Sequence, residues 1–226
     1  MLNRSVLWLF ALDWLIDHLA ATQSEVDGIV QRCLAVADGE PPDETDELAR
    51  LLAEIRSEVA ETPGFTVWGS VWRTELRRVL EGAAREWTWK TGSRDMLPTF
   101  EEYLENADNI GSAWVNVSHW IATADPQHLQ DHAEPLQDAS REVQRLLRLL
   151  NDLATFDRDV HWGDLNCLML GVDRDTVNAR IHATVNRCKT LIAPLKARFP
   201  QAAVYLERQM GYSMGFYQNS DYWGSL

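Results

Sequence analysis

The chain has 226 residues, 46% of them hydrophobic and 24% charged, with 21 Lys and Arg against 34 Asp and Glu for a net charge of −13. At roughly 150 residues per domain this is read as one globular domain, residues 1–226, and the composition excludes intrinsic disorder. The acidic balance, with no basic run along any segment, excludes nucleic acid and anionic membrane surfaces as partners.

Apolar spacing is helical nearly throughout, and no alternating run of β-branched residues between hairpin turns competes with it, so the expected class is all-α. Helices are expected at about 3–21, 25–38, 43–60, 66–90, 98–123, 139–159, 174–197 and 200–218. Ser24 with Asp27 has the form of a capping box. Gly39 with Pro41 and Pro42, and then Pro63 with Gly64, end the second and third helices. Pro98 suits a first helical turn, and Gly111, inside a long helical pattern, marks a break.

In the first helix every side chain from Val6 to Ile16 except Asp13 is apolar, which predicts a helix buried on all sides. Asp13 and Asp17 are four residues apart, about 400° of turn, and so share a face with Phe10. Two carboxylates so placed in low dielectric are costly unless a cation sits between them or one is protonated, which points to a metal site. A helix end projecting into solvent, with His18 beside Asp17, accounts for them equally well. The same charges interrupt the apolar run after Arg4, leaving it short of the roughly 20 residues of a membrane span and unlike a signal peptide. Cys33, Cys167 and Cys188 are widely spaced, without a zinc-ligand pattern, as in a reducing cytoplasmic compartment.

A second set of oxygen donors recurs at every fourth residue: Asn151, Thr155 and Asp159. An amide, a hydroxyl and a carboxylate suit Mg2+, which keeps waters and shares phosphate oxygens with its substrate. On the helical wheel Val143, Leu146, Leu147, Leu150 and Ala154 form the core stripe. The three donors lie on its flank, merging into the side of Arg141, Arg145 and Arg148, so a solvated polar face is the plain alternative.

The two elements together, in this order, resemble the class I terpene synthases. Leu9 to Asp17 is similar to the aspartate-rich motif DDxxD, matching its first and fifth positions at Asp13 and Asp17, with Trp14 at the second. Asn151 to Asp159 is similar to the second metal motif, N-D-x-x-S/T-x-x-x-E, with Asp for Glu and Arg158 at the basic position before the last ligand. Pro98 to Leu104 followed by Gly111 resembles the approach to the family's broken helix, and Gly163-Asp164-Leu165-Asn166 the stretch after the second motif.

The resemblance implies a single-domain antiparallel helical bundle, and Mg2+ held by Asp13 and Asp17 on one side and by Asn151, Thr155 and Asp159 on the other. The substrate it implies is an isoprenoid diphosphate, ionised to a carbocation that aromatic faces steer by cation–π attraction. Phe10, Trp14, Trp114, Tyr212 and Phe216 are the expected wall residues, and Arg158 and Tyr222 the expected diphosphate contacts.

Three departures stand against the family pattern. No Arg occurs in Glu105 to Gly111, where many microbial members sense diphosphate, and the C-terminal Arg-Tyr pair reads Asp221-Tyr222. Asp13 also lies nearer the start than is usual, as in a truncated or a compact member. The stretch Tyr103-Leu104-x-Asn106-x-Asp108-x-Ile110 looks more like bacterial labdane-related diterpene synthases than like the sesquiterpene branch. The expected substrate is therefore a copalyl-type diphosphate made by a separate class II cyclase. Farnesyl diphosphate is the alternative, a degenerate non-catalytic partner subunit the reading from another class, and a homodimer is left open. The second motif disfavours a chain-elongating prenyl transferase, and neither an Asp-x-Asp-Asp acid motif nor Glu-x-x-His di-iron pairs are present.

Overall fold

A computed structural model of the protein describes residues 2–220, and the structural statements below concern these residues. They form helices and turns, with no strand among them, so the class is all-α. The chain groups into two compact units interleaved in sequence: Met1–Thr88 with Gly111–Ala133, and Trp89–Ile110 with Glu134–Leu226.

The first unit is built from α1 (Leu2–Trp14), α2 (Gln23–Asp38), α3 (Glu47–Ala60), most of α4 (Pro63–Thr91), α6 (Ser112–Thr123) and α7 (Pro126–Asp131). Indole rings hold it together. Trp8, Trp68, Trp72, Trp114 and Trp120 are all buried, each ring removing about 150–250 Å² from water. Trp114 packs between Trp8 and Trp72, with centroids 5.2 and 5.6 Å away, and Trp68 meets Trp120 edge-on at 6.2 Å. Burying so many N–H groups demands acceptors. Trp8 donates to the Leu48 carbonyl at 3.0 Å, Trp68 to the Leu129 carbonyl at 3.0 Å, and Trp72 to the Ser118 hydroxyl at 2.9 Å.

The first helix is not buried on all sides. Ser5, Trp8, Leu12 and Ile16 face the core, while Leu7 is 62% and Trp14 41% exposed and Asp13 lies open to solvent. Hydrophobic composition alone overstates burial, because a single helix packed from one side needs only a stripe. Its α-helical turns stop at Trp14, and Leu15–Leu19 continue as a wider π-turn. The cap of α2 is also two residues from the expected one. Thr22 accepts from the Glu25 N–H while the Glu25 carboxylate accepts from Thr22, so Thr22/Glu25 and not Ser24/Asp27 form the box. Pro63 opens α4 instead of closing α3, and a methyl added at Gly64 would sit 2.3 Å from the Ile121 carbonyl oxygen of α6.

The second unit contains the remainder of α4, α5 (Phe100–Glu105), nearly all of α8 (Ala133–Trp162), α9 (Arg174–Ile192), α10 (Leu195–Arg198) and α11 (Pro200–Phe216). The expected helix at 98–123 is broken where Gly111 stands. A capping box of Thr99 and Glu102 starts α5 behind Pro98, one turn of 3-10 helix covers Ala107–Ile110, and Gly111 adopts φ +71° as the N-cap of α6. Helix α8 begins at Ala133 and runs to Trp162, longer at both ends than the expected 139–159, and α7 occupies a stretch read as loop. Tyr103, Leu104, Leu149, Leu165, Cys167 and Val177 form a core that ties α5, α8, a 3-10 turn at Cys167–Leu170, and α9 together.

Candidate functional site

On α1, Asp13 is exposed and Asp17 half-buried within the π-turn. A π-turn carries more residues per turn than an α-helix, so the 40° offset expected from α geometry does not apply to this pair. Trp14 sits 4.5 Å from the His18 ring, and Phe10 is half-buried.

On α8 the donor set is packed inward. Thr155 and Asp159 are buried and Asn151 is half-buried, whereas Leu147 and Leu150 are only half-buried and Ala154 is exposed. The buried stripe runs through Val143, Leu146, Leu149, Asp152, Thr155 and Asp159, so the expected core stripe was placed one position off over the last turns. Thr155 and Asp159 therefore do not lie on a solvated face, while Asn151 stands at its edge. The Thr155 hydroxyl lies 2.6 Å from Asp159 Oδ2 and 2.9 Å from the Asn151 carbonyl, and its one proton serves one of these at a time. Asn151 Nδ2 reaches the Tyr217 hydroxyl at 3.5 Å, leaving its amide oxygen as the acceptor end.

Beside the triad lies a buried polar network that sequence reading missed. Asp152, 1% exposed, accepts from the Tyr103 hydroxyl at 3.1 Å, from the Cys167 N–H at 3.1 Å, and pairs with Arg148 Nε at 3.2 Å. Arg148 is buried at 5% exposure, not on a solvated side, and its guanidinium lies over the Tyr103 ring, donates to its hydroxyl at 2.6 Å and to the Leu165 carbonyl at 3.2 Å. Arg148 and Asp152 stand four residues apart in the sequence, which is the signal that could have paired them. Asn166, fully buried, donates to the Asp152 carbonyl at 2.9 Å and to Asp159 Oδ2 at 2.8 Å. Lys90 closes the loop from outside through Asp164 at 3.0 Å.

Burial pushes the Asp159 carboxyl above the usual carboxylate range, against the hydrogen bonds from Thr155 and Asn166, and Asp152 nearby pushes the same way. Desolvation likewise raises Asp152 despite the Arg148 charge and the Cys167 and Tyr103 hydrogen bonds. A desolvated carboxylate beside a hydroxyl, with an amide side chain one turn further back on the same helix, offers hard oxygens that a small divalent cation fits. Among the described residues no group of three or more His, Cys, Asp or Glu is placed to hold a metal.

The other expected contacts fall as follows. Arg158 lies over the Trp162 ring at 5.1 Å, with Nη2 3.9 Å from Asp159 Oδ1. Trp114 is fully buried in the indole core of the first unit, so it packs and does not line an open surface. Tyr212, 60% exposed, stacks on Phe216 with centroids 5.6 Å apart. Tyr222 lies outside the described residues. No helix among the described residues is long and apolar enough to cross a membrane.

The family profile of terpene synthase family 2, C-terminal metal binding, matches residues 4–192. The ent-pimara-9(11),15-diene synthase of Streptomyces sp. (strain KO-3988) is 29% identical over 220 residues, which cover 95% of this chain and 74% of that protein. The profile spans α1 with its aspartates, the broken segment at Gly111, and α8 with its oxygen triad. The chain belongs to terpene synthase family 2: it is a class I terpene synthase, a metal-using enzyme that acts on an isoprenoid diphosphate.

Proposed function

We propose that this chain is a Mg2+-dependent diterpene synthase that ionises a copalyl-type, labdadienyl diphosphate and deprotonates or hydrates the resulting carbocation. The observation that carries the reading is on α8, where the Thr155 hydroxyl lies 2.6 Å from the buried Asp159 carboxylate and the half-buried Asn151 stands one turn before Thr155. The likeness to an ent-pimaradiene synthase supports the diterpene branch.

In this reading Asn151, Thr155 and Asp159 hold Mg2+ through an amide, a hydroxyl and a carboxylate oxygen, and Asp13 and Asp17 provide further carboxylates for metal. Bound Mg2+ supplies Lewis-acid assistance to the departing diphosphate. Arg158 places a guanidinium beside the ligand set and partners diphosphate oxygens. Trp162 beneath it limits its swing, since the ring holds the cation by its face. Phe10 and Trp14 in the first unit, and Tyr212 and Phe216 in the second, offer aromatic faces to cationic intermediates at about 0.5–2 kcal/mol each. A separate class II cyclase supplies the bicyclic substrate, and three free, buried thiols suit a cytoplasmic setting.

The test is diphosphate release from geranylgeranyl and copalyl-type diphosphates with and without Mg2+. Asp13→Ala and Asn151→Ala are each expected to bring release to background while far-UV circular dichroism stays helical. Near-native turnover in either variant removes that residue from the ligand set, and no Mg2+-dependent release by the parent protein from either substrate would overturn the Mg2+-dependent diterpene reading.

A further inference from the structure

Asn166 spends every polar atom of its side chain on holding two segments together. Its Oδ1 accepts from the Leu168 N–H at 3.1 Å and so starts the 3-10 turn at Cys167–Leu170. Its Nδ2 donates one proton to the carbonyl of Asp152, inside α8, and the other to Asp159 Oδ2 at 2.8 Å. The chain is brought back to this point by Gly163. There α8 ends at φ +79°, and the N–H groups of Gly163 and Asp164 both donate to the Asp159 carbonyl at 2.8 and 2.9 Å. The backbone and the carboxylate of Asp159 are thus fixed by the same four-residue return.

We propose that Asn166 is the positioning residue for Asp159, committing Oδ2 to protein donors and leaving Oδ1, which has the Arg158 guanidinium 3.9 Å away, as the oxygen offered to a divalent cation; this rests on the reading of Asp159 as a metal ligand. Thr155 shares the task, because its hydroxyl faces the same Oδ2. With Oδ2 so engaged, Asp159 ligates through one oxygen, and the rotation of the carboxylate is settled before the ion arrives. Partners that orient a ligating carboxylate change metal affinity by about tenfold to a hundredfold when removed.

Asn166→Ser separates the positioning role from the structural one. A serine hydroxyl can still accept from the Leu168 N–H but cannot reach Asp159. Isothermal titration of Mg2+ into the protein with inorganic diphosphate should show half-saturation raised about tenfold to a hundredfold, with the metal-free thermal midpoint within a few degrees of the parent. Asp159→Asn is the companion variant and should weaken Mg2+ binding at least as much. If Asn166→Ser binds as the parent does while Asp159→Asn does not, the positioning role is overturned and the ligand reading stands. If Asp159→Asn also binds as the parent does, the ligand reading falls and the inference falls with it. Nitrogen-15 NMR of the parent protein supplies a readout that needs no variant. The two Asn166 side-chain amide protons should be protected from exchange and should shift on Mg2+ addition; rapid exchange or no shift overturns the proposal.

Discussion

Asp152 carries a cost that the motif letter beside Asn151 does not advertise. It is a carboxylate at 1% exposure, paired with a guanidinium at 5% exposure. Removing one member of a buried pair strands the other, at about 3–5 kcal/mol. Asp152→Ala should therefore lower unfolding free energy by about that amount in urea titrations, and Asp152→Asn by less, since an amide oxygen can still accept from the Cys167 N–H. A loss within the range of an exposed ion pair, about 0–1 kcal/mol, would return Arg148 to the solvated side where its place on the helical wheel puts it. For Thr155 and Asp159 the ranking follows from charge. Asp159→Ala is expected to raise the Mg2+ concentration needed for half-maximal turnover more than Thr155→Ala, because a neutral hydroxyl compensates less of a cation's charge. Arg158→Ala should raise KM for diphosphate substrates, with Arg158→Lys between it and the parent, since an ammonium restores charge but not a planar two-point contact. Unchanged KM and kcat in Arg158→Ala would mean other groups hold the diphosphate.

At the scale of elements, periodicity found the helices, and local chemistry decided where they begin. The break at Gly111 was legible because one residue type answers the physical demand: φ is +71°, and an added methyl would meet Leu9 Cδ2 at 2.5 Å. Gly111→Ala is expected to destabilise the protein by about 1–2 kcal/mol from the left-handed backbone alone, with the Leu9 clash adding to it. A variant with an unchanged denaturation midpoint would show the break to be soft. Other boundaries were less legible for a physical reason. Ser24 and Thr22 are both good N-caps, and Thr22 is favoured because Glu25 can reach back to its N–H. The triad was found by its spacing of four, while its burial was not, because polar residues on a wheel are assigned to solvent unless their partners are known. Asn166, which bonds Asp159, comes from the loop after α8, and Tyr103 and Leu165, which bond the neighbouring Arg148 and Asp152, come from α5 and that same loop, so no spacing within α8 points to them.

At the scale of the whole molecule, composition posed two questions, tryptophan and cysteine, and packing answers both. Half of the ten tryptophans build one core, so indole content by itself says little about carbocation chemistry. Burial pushes the Cys33 and Cys188 thiols up to about 12 and raises Cys167 as well. All three should therefore resist a thiol-specific disulfide reagent at pH 8 in the native protein and react fully in guanidinium; native labelling of any one would show its helix to be less well packed. Substrate choice is also a property of the whole molecule, since chain length is sensed by the sum of apolar contacts and no single side chain sets it. One methylene is worth only about 1–3 kcal/mol, so a protein shaped for a twenty-carbon bicyclic diphosphate is expected to turn over farnesyl diphosphate slowly instead of rejecting it. Parallel incubations with Mg2+ and geranylgeranyl, copalyl-type or farnesyl diphosphate, read by mass spectrometry of the hydrocarbons, should give the highest kcat/KM for the copalyl-type substrate. Efficient turnover of farnesyl diphosphate alone would move the enzyme to the sesquiterpene branch without disturbing the roles proposed for Asn151, Thr155 and Asp159, because those roles concern the diphosphate, which all three substrates share.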